Sequence, residues 1–127
     1  MIIQDLLKIV LQKKGSDLHL LTGYPPIIRV DGSLTPILGI EPLEQKVCQE
    51  LVFSLLSNDQ KELLLVNKEV DFSFAYGEDG RFRINAYQER GSYSAALRLI
   101  PLKIPTIDEL NLPKICHTFS SLRQGFI

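Results

Sequence analysis

The chain has few cysteines, and the two that it has show no pattern of a metal or redox site. Cys48 and Cys116 lie far apart, without a CxxC motif or an alternating Cys/His spacing. Zinc sites and disulfide-exchange motifs need such spacings, so the sequence supports neither. A reducing compartment fits this composition.

Long apolar runs are also missing. No stretch has the roughly 20 consecutive apolar residues that a membrane-spanning helix requires. Met1 leads into an amphipathic helix without a signal-peptide pattern. We therefore expect a cytoplasmic protein with no direct membrane insertion.

Neither sign of charge is in excess, because 14 Lys and Arg residues stand against 15 Asp and Glu residues and give a formal net charge of −1. Nucleic-acid-binding domains usually carry a basic excess, so no nucleic-acid partner is expected.

The motif G-x-x-x-x-G-K-[ST] is absent as well. The chain therefore lacks the backbone N–H cradle and lysine that bind nucleotide phosphates, and we do not expect it to hydrolyse ATP by itself.

The residues that are present predict a soluble α+β domain. The 127 residues are 45% hydrophobic and 23% charged, which suffices for one core. Helical or period-two spacing of apolar residues predicts a helix from Ile3 to about Leu11, strands near 17–21, 27–30, 34–38 and 69–76, helices over 42–56 and 58–66, and short helices after 106 and 113. Because hairpins join successive strands, we expect an antiparallel sheet with helices packed on one side.

The most informative segment runs from Arg81 to Pro101. Its first strand alternates apolar residues with polar ones, and its second strand carries apolar residues around Arg98. Period-two alternation predicts a half-buried sheet with the arginines on its other face. Arginine is a planar, permanently charged fork that suits phosphate, so two arginines on rigid strands could clamp an anion. In the first strand the apolar residues are Phe82, Ile84 and Ala86, and the polar ones are Arg81, Arg83 and Asn85. The apolar residues of the second strand are Ala96, Leu97, Leu99 and Ile100.

Three segments together resemble one known family. GSDLHLLTGYPPIIRVDGSL, EVDFSFAYG and RFRINAYQERGSYSAALRLIP are similar, in order and without large gaps, to the N-terminal domain of type IV pilus retraction ATPases. These twitching-motility motors belong to the secretion-ATPase superfamily. The resemblance covers essentially the whole chain and implies a PAS-like N-terminal domain over residues 1–101. Residues 102–127 would then be a linker and the start of a RecA-like ATPase domain that lies beyond Ile127.

The resemblance also implies roles for two residues. Arg83 in RFRIN and Arg98 in ALRLIP match the family's arginines that reach the terminal phosphate of ATP. The intact protein would bind ATP with Mg²⁺, form a hexameric ring, and contact a platform protein at the cytoplasmic face of the inner membrane. Arg81 and Arg90 are nearby alternatives for the phosphate contact. The start of the domain at Met1 favours retraction motors or the similarly compact type IVB secretion ATPases.

Other interpretations remain open on the residues alone. Both arginines could be ordinary surface charges on a half-exposed sheet. Asp17 and His19 share a strand face and could form a catalytic or metal pair, although polar contacts within the domain or to a neighbouring subunit explain them better. The chain could also be a freestanding PAS-like module that binds a ligand, or an adaptor. Finally, Phe126 and Ile127 resemble the start of a strand, so we expect the natural protein to continue.

Overall fold

A computed structural model describes residues 2–78 and 80–125 of the chain. Six strands in this part form one antiparallel sheet, as the sequence predicts, and helices pack on one of its faces. The predicted α+β fold class is therefore confirmed. The elements in chain order are α1 (Ile3–Gln12), β1 (Asp17–Leu20), β2 (Ile27–Val30), β3 (Ser33–Pro36), α2 (Gln45–Ser54), α3 (Asn58–Asn67), β4 (Glu69–Tyr76), β5 (Gly80–Glu89), β6 (Ser92–Ile100) and α4 (Ile115–Ser120).

The strand order in the sheet is β3-β2-β1-β6-β5-β4. Two three-stranded meanders, β1–β3 and β4–β6, are thus joined at the centre by the pairing of β1 with β6. The register of that pairing sets Asp17 opposite Arg98 and Leu18 opposite Leu97. Because side chains alternate between the two faces of a strand, this register brings polar residues of both meanders onto one face.

The hydrophobic core lies between the helices and the other face of the sheet. The alternation predicted for β5 is observed, since Phe82, Ile84 and Ala86 are buried while Arg81 and Arg83 are exposed. The helices contribute apolar stripes at helical spacing to the same core. Its buried members include Ile3, Leu6, Leu7 and Val10 of α1, Cys48, Leu51 and Val52 of α2, Leu64 of α3, and Leu18, Leu20, Ile28, Ala95 and Leu97 of the sheet.

Two hairpin turns have the left-handed backbone that two-residue loops require. Asp31 and Gly32 have φ values of 48° and 81°, which confirms the tight turn predicted between β2 and β3. Arg90 and Gly91, with φ values of 50° and 79°, connect β5 to β6 in the same way. The turn fixes the β5–β6 register and sets Arg90 at its tip.

The second helix begins later than the sequence predicts. Pro42 suggested a helix start, but α2 begins at Gln45. The backbone around Pro42 is used elsewhere, because the Leu43 N–H donates to the Tyr24 carbonyl at 2.9 Å and the Leu43 carbonyl accepts from the Gly23 N–H at 2.8 Å. These two bonds tie the segment to the loop between β1 and β2, and they occupy the Leu43 carbonyl, which in a longer helix would accept from the N–H four residues on.

None of the described residues after β6 belongs to the core. Thr106 and Glu109 form the predicted reciprocal capping bonds, at 2.9 and 3.2 Å, yet only one turn follows rather than a helix. Asn111 ends that turn in the left-handed region, with φ of 52°. The helix predicted near 114–122 is confirmed as α4, whereas the strand predicted at Phe126 lies outside the described residues. Within the described residues, no helix has the length and apolarity needed to cross a membrane.

Candidate functional site

The face of the sheet opposite the helices, called the polar face below, carries a row of charged residues. Strand pairing sets Arg29 beside Asp17, Asp17 beside Arg98, Arg98 beside Arg83, and Arg83 beside Ser73. These residues come from five different strands and from both meanders. The row therefore exists only when the whole sheet has formed.

Arg83 and Arg98 occupy directly opposed positions on β5 and β6. Their side chains are 67% and 74% exposed, so both guanidinium groups reach solvent from rigid strands. Like charges at opposed positions destabilise a sheet. One carboxylate on each side offsets this repulsion, Asp17 next to Arg98 and Asp71 next to Arg83.

Asp17 is the most enclosed charge of the row, with only 10% of its side chain exposed. Its Oδ1 accepts a hydrogen bond from Arg98 Nε at 3.0 Å, and its Oδ2 accepts one from the Ser16 hydroxyl at 2.6 Å. Arg29 Nε lies 3.4 Å from the same Oδ2. Burial by itself would raise the pKa of Asp17, but the hydrogen bonds from Ser16 and Arg98 and the charges of Arg98 and Arg29 outweigh it and lower the pKa. Asp17 is therefore an anion at neutral pH.

Asp71 holds Arg83 in a different way. The carboxylate accepts from Arg83 Nη2 at 2.9 Å and from Nε at 3.4 Å, a two-point contact along one edge of the guanidinium group. The hydrogen bond from Arg83 lowers the pKa of Asp71, and its charge adds to the effect. Both partners are largely exposed, so solvent screens this pair more strongly than the Asp17–Arg98 pair.

A shallow depression of about 280 Å³ lies over this row. His19 is one of the residues that line it, and its Nε2 atom is buried and finds no hydrogen-bond partner among the described residues. Burial lowers the pKa of His19; the charges of Arg29 and Arg98 lower it further, against an opposing effect of Asp17. The depression is lined by Asp17, His19, Asp71, Arg83, Asn85, Ala96, Leu97 and Arg98.

Because the pKa of His19 is lowered in the fold, we expect the folded chain to become less stable as the pH falls below neutral. An unfolded histidine titrates near pH 6.5, whereas His19 in the fold resists protonation. Between about pH 7.5 and 5.5 the unfolded state thus binds more protons, and stability must fall as the pH falls. Thermal melts of the chain across this window should show the decline, and His19→Gln should flatten it. An equal slope in both proteins would contradict the prediction.

The structure distinguishes Arg81 from Arg90, the two alternative residues for the phosphate contact. Arg81 lies on the polar face, two residues along β5 from Arg83. Arg90 lies in the turn, seven residues from Arg83, which is roughly 20 Å along a strand. It is therefore remote from the pair. The expected role of Asp17 as a polar contact within the domain is confirmed, but His19 makes no such contact within the described part of the chain.

Sequence comparison relates this chain to known proteins. The chain is 35% identical over 125 residues to the type IV pilus retraction ATPase PilT of Pseudomonas aeruginosa. The match covers 98% of this chain and 36% of that protein. The chain therefore spans about a third of the length of this relative. No protein-family profile matches the chain.

Comparison of the fold with solved structures points to the same relatives. A crystal structure of the pilus retraction motor PilT with bound ADP superposes with a TM-score of 0.79 at 36% identity, covering 92% of this chain and 35% of the motor. This chain is homologous to the N-terminal domain of the PilT-type ATPases. This chain also matches the ATPase DotB of Legionella pneumophila, with a TM-score of 0.65 and 26% identity over 88% of this chain and 32% of DotB. The resemblance stated from the sequence is therefore confirmed.

Sequence reasoning missed the carboxylate partners of Arg83 and Arg98. The Asp71–Arg83 pair follows from the β4–β5 hairpin, in which Ser73 faces Arg83 and Asp71 is the diagonal neighbour. A register count from the turn could have found it. The Asp17–Arg98 pair spans 81 residues, and no local signal in the sequence specifies that β1 pairs with β6.

Proposed function

We propose that this chain is the N-terminal domain of a motor ATPase that powers type IV pilus retraction, in which Arg83 and Arg98 contact the γ-phosphate of ATP. The observation that carries the proposal is the directly opposed position of these two exposed arginines on the polar face. Two neighbouring guanidinium forks suit the oxygens of a phosphate, and a bound phosphate would also relieve the repulsion between them.

The energetics of phosphoryl transfer support this role. Negative charge is spread over the γ-phosphate oxygens in the transition state, and an arginine that reaches them stabilises that charge. Arginines on a domain separate from the nucleotide-binding loop would make hydrolysis depend on domain closure. The ADP in the related motor structure supports nucleotide binding by the longer protein.

ATP would bring Mg²⁺ with it as the usual complex. Among the described residues no three His, Cys, Asp or Glu side chains lie close enough together to hold a metal ion. In the proposed complex this chain therefore contributes arginines to the phosphate, while the ligands of Mg²⁺ come from ATP and from the rest of the protein. The 127 residues alone would bind ATP weakly, because most contacts to the nucleotide would be missing.

The assembly belongs to the same proposal. The intact protein would form a hexameric ring at the cytoplasmic face of the inner membrane and act on an integral-membrane platform protein. Residues 1–101 would be the PAS-like domain, and 102–127 the linker and the start of the RecA-like domain. The burial pattern supports this boundary, because every buried core residue among those described lies between Ile3 and Leu97.

A second candidate is the N-terminal domain of a compact secretion ATPase, which the match to DotB favours. The phosphate role of the arginines would be the same, and only the machinery driven by the motor would differ. The freestanding ligand-binding module has less support, since large side chains such as Phe82, Leu18 and Leu97 fill the space between sheet and helices.

Sequencing the gene beyond the codon for Ile127 tests the proposal directly. We expect the reading frame to continue into Gly-x-x-x-x-Gly-Lys-Ser/Thr, the loop that would cradle the phosphates. A stop codon directly after Ile127 would exclude an autonomous ATPase. It would favour an adaptor or a ligand-binding module instead.

A further inference from the structure

Arg83 and Arg98 are held in different ways on the polar face. Arg98 makes one side-chain hydrogen bond within the described residues, through Nε to Asp17 at 3.0 Å, so its two terminal nitrogens have no side-chain partner there. Arg83 gives both Nε and Nη2 to Asp71. A phosphate would therefore find the terminal fork of Arg98 open and one edge of Arg83 already occupied by a carboxylate.

Asp17 is built to hold its arginine in place. Its side chain is 10% exposed, and the Ser16 hydroxyl at 2.6 Å and Arg29 at 3.4 Å fix the carboxylate from the other side. Arg29 is itself fixed, since its Nη1 donates to the Gly32 carbonyl at 2.9 Å. A carboxylate held by this many partners cannot follow a moving arginine, so it orients Arg98 through Nε.

Asp71 lacks such support. Its side chain is 47% exposed, and Arg83 is its one side-chain partner within the described residues. Exposed ion pairs contribute little and are screened by salt. A phosphate with two or more negative charges can therefore displace Asp71 from Arg83, whereas it can bind Arg98 without breaking the contact with Asp17.

We propose that Asp17 is a positioning residue that presents Arg98 to the γ-phosphate, and that Asp71 is a competing anion that must release Arg83 before both arginines bind. This inference rests on the proposed function. It predicts an order of events: the phosphate meets Arg98 first, and the Asp71–Arg83 pair opens afterwards. It also predicts that removing the two carboxylates has opposite effects, although both changes remove one negative charge from the same face.

The test compares the affinities of Mg-ATP and Mg-ADP for the full-length protein that contains this chain. The ratio of the two dissociation constants isolates the γ-phosphate, and a general loss of stability does not change it. We expect Asp71→Asn to raise the preference for ATP about threefold and Asp17→Asn to lower it by about as much, the scale of one screened ion pair. Glu69→Gln is the matched control, because Glu69 is on the same face but bonds Asn85 rather than an arginine, and its ratio should stay unchanged.

Two outcomes would overturn the inference: ratios that move in the same direction in both aspartate variants, or ratios equal to that of Glu69→Gln. If Asp17→Asn fails to fold, Asp71→Asn still decides, since an unchanged ratio in that variant overturns the proposal. Turnover separates this inference from the proposed function. If Arg83→Ala and Arg98→Ala both hydrolyse ATP normally, the proposed function fails. If they do not, but the aspartate variants leave the ratio unchanged, only the inference fails.

Discussion

Alanine in place of Arg83 or Arg98 is expected to lower the ATPase turnover of the full-length protein by about a thousandfold, the lower end of the range for arginines that reach a transferred phosphoryl group. Affinity for Mg-ATP should fall only a few-fold, far less than turnover, because the phosphate loop and the adenine contacts would remain. The measurement is kcat under saturating Mg-ATP together with the dissociation constant of Mg-ATP. Both arginines lie on the polar face with their side chains mostly exposed, so neither substitution should disturb the core.

Two controls make this result specific. Arg90→Ala removes the same charge from the tip of the β5–β6 turn, far from the pair, and should leave turnover unchanged. Arg98→Lys keeps the charge but loses the planar fork, so most of the turnover should still be lost. Normal turnover in both alanine variants would remove the phosphate-contacting role.

Phe82→Ala is expected to destabilise the chain by about 3–5 kcal/mol, because it deletes a large buried side chain and leaves a cavity. Phe82 is fully buried in β5 and packs edge-on against Tyr76, with 6.4 Å between the ring centroids. A domain of this size is stable by only about 5–15 kcal/mol, so much of the margin would be lost. Urea denaturation followed by circular dichroism measures the change.

The matched control for this core substitution is Phe119→Ala. Phe119 lies on α4 outside the core and is 39% exposed, so its loss should change stability by at most about 0.5 kcal/mol. Equal urea midpoints for the two variants would show that Phe82 does not anchor the core. Phe82→Leu, which retains most of the apolar volume, should fall between the two.

Local patterns in the sequence predict those parts of the fold that local interactions decide. The period-two alternation around Phe82 and Arg83 identified both the strand and its exposed face, and Asp31-Gly32 identified a hairpin. Pro42 misled the prediction because the neighbouring backbone bonds to Tyr24, a contact between segments that no single-segment pattern contains. The reciprocal caps at Thr106 formed without a helix, since caps satisfy a helix end but provide no packing surface for the rest.

The candidate site was predictable in part for the same reason. Arg83 and Arg98 lie on strands joined by a tight turn, so their proximity follows from one hairpin. Asp17 reaches Arg98 only through the pairing of the first strand with the last, which depends on the packing of the whole domain. The buried environment of His19 likewise depends on neighbours from distant parts of the chain. A short local pattern in the sequence contains no information about such long-range contacts.

The strand order also determines when the domain can form during translation. The β1–β3 meander is synthesised first, but β1 has an open edge until β6, the last strand of this sheet among the described residues, leaves the ribosome and pairs with it. Contacts between such distant segments form slowly, and unpaired strand edges invite association in the meantime. Folding of the nascent chain should therefore be completed in one late step, once Ile100 has emerged, and a ribosome stalled before that point would carry an unfinished sheet.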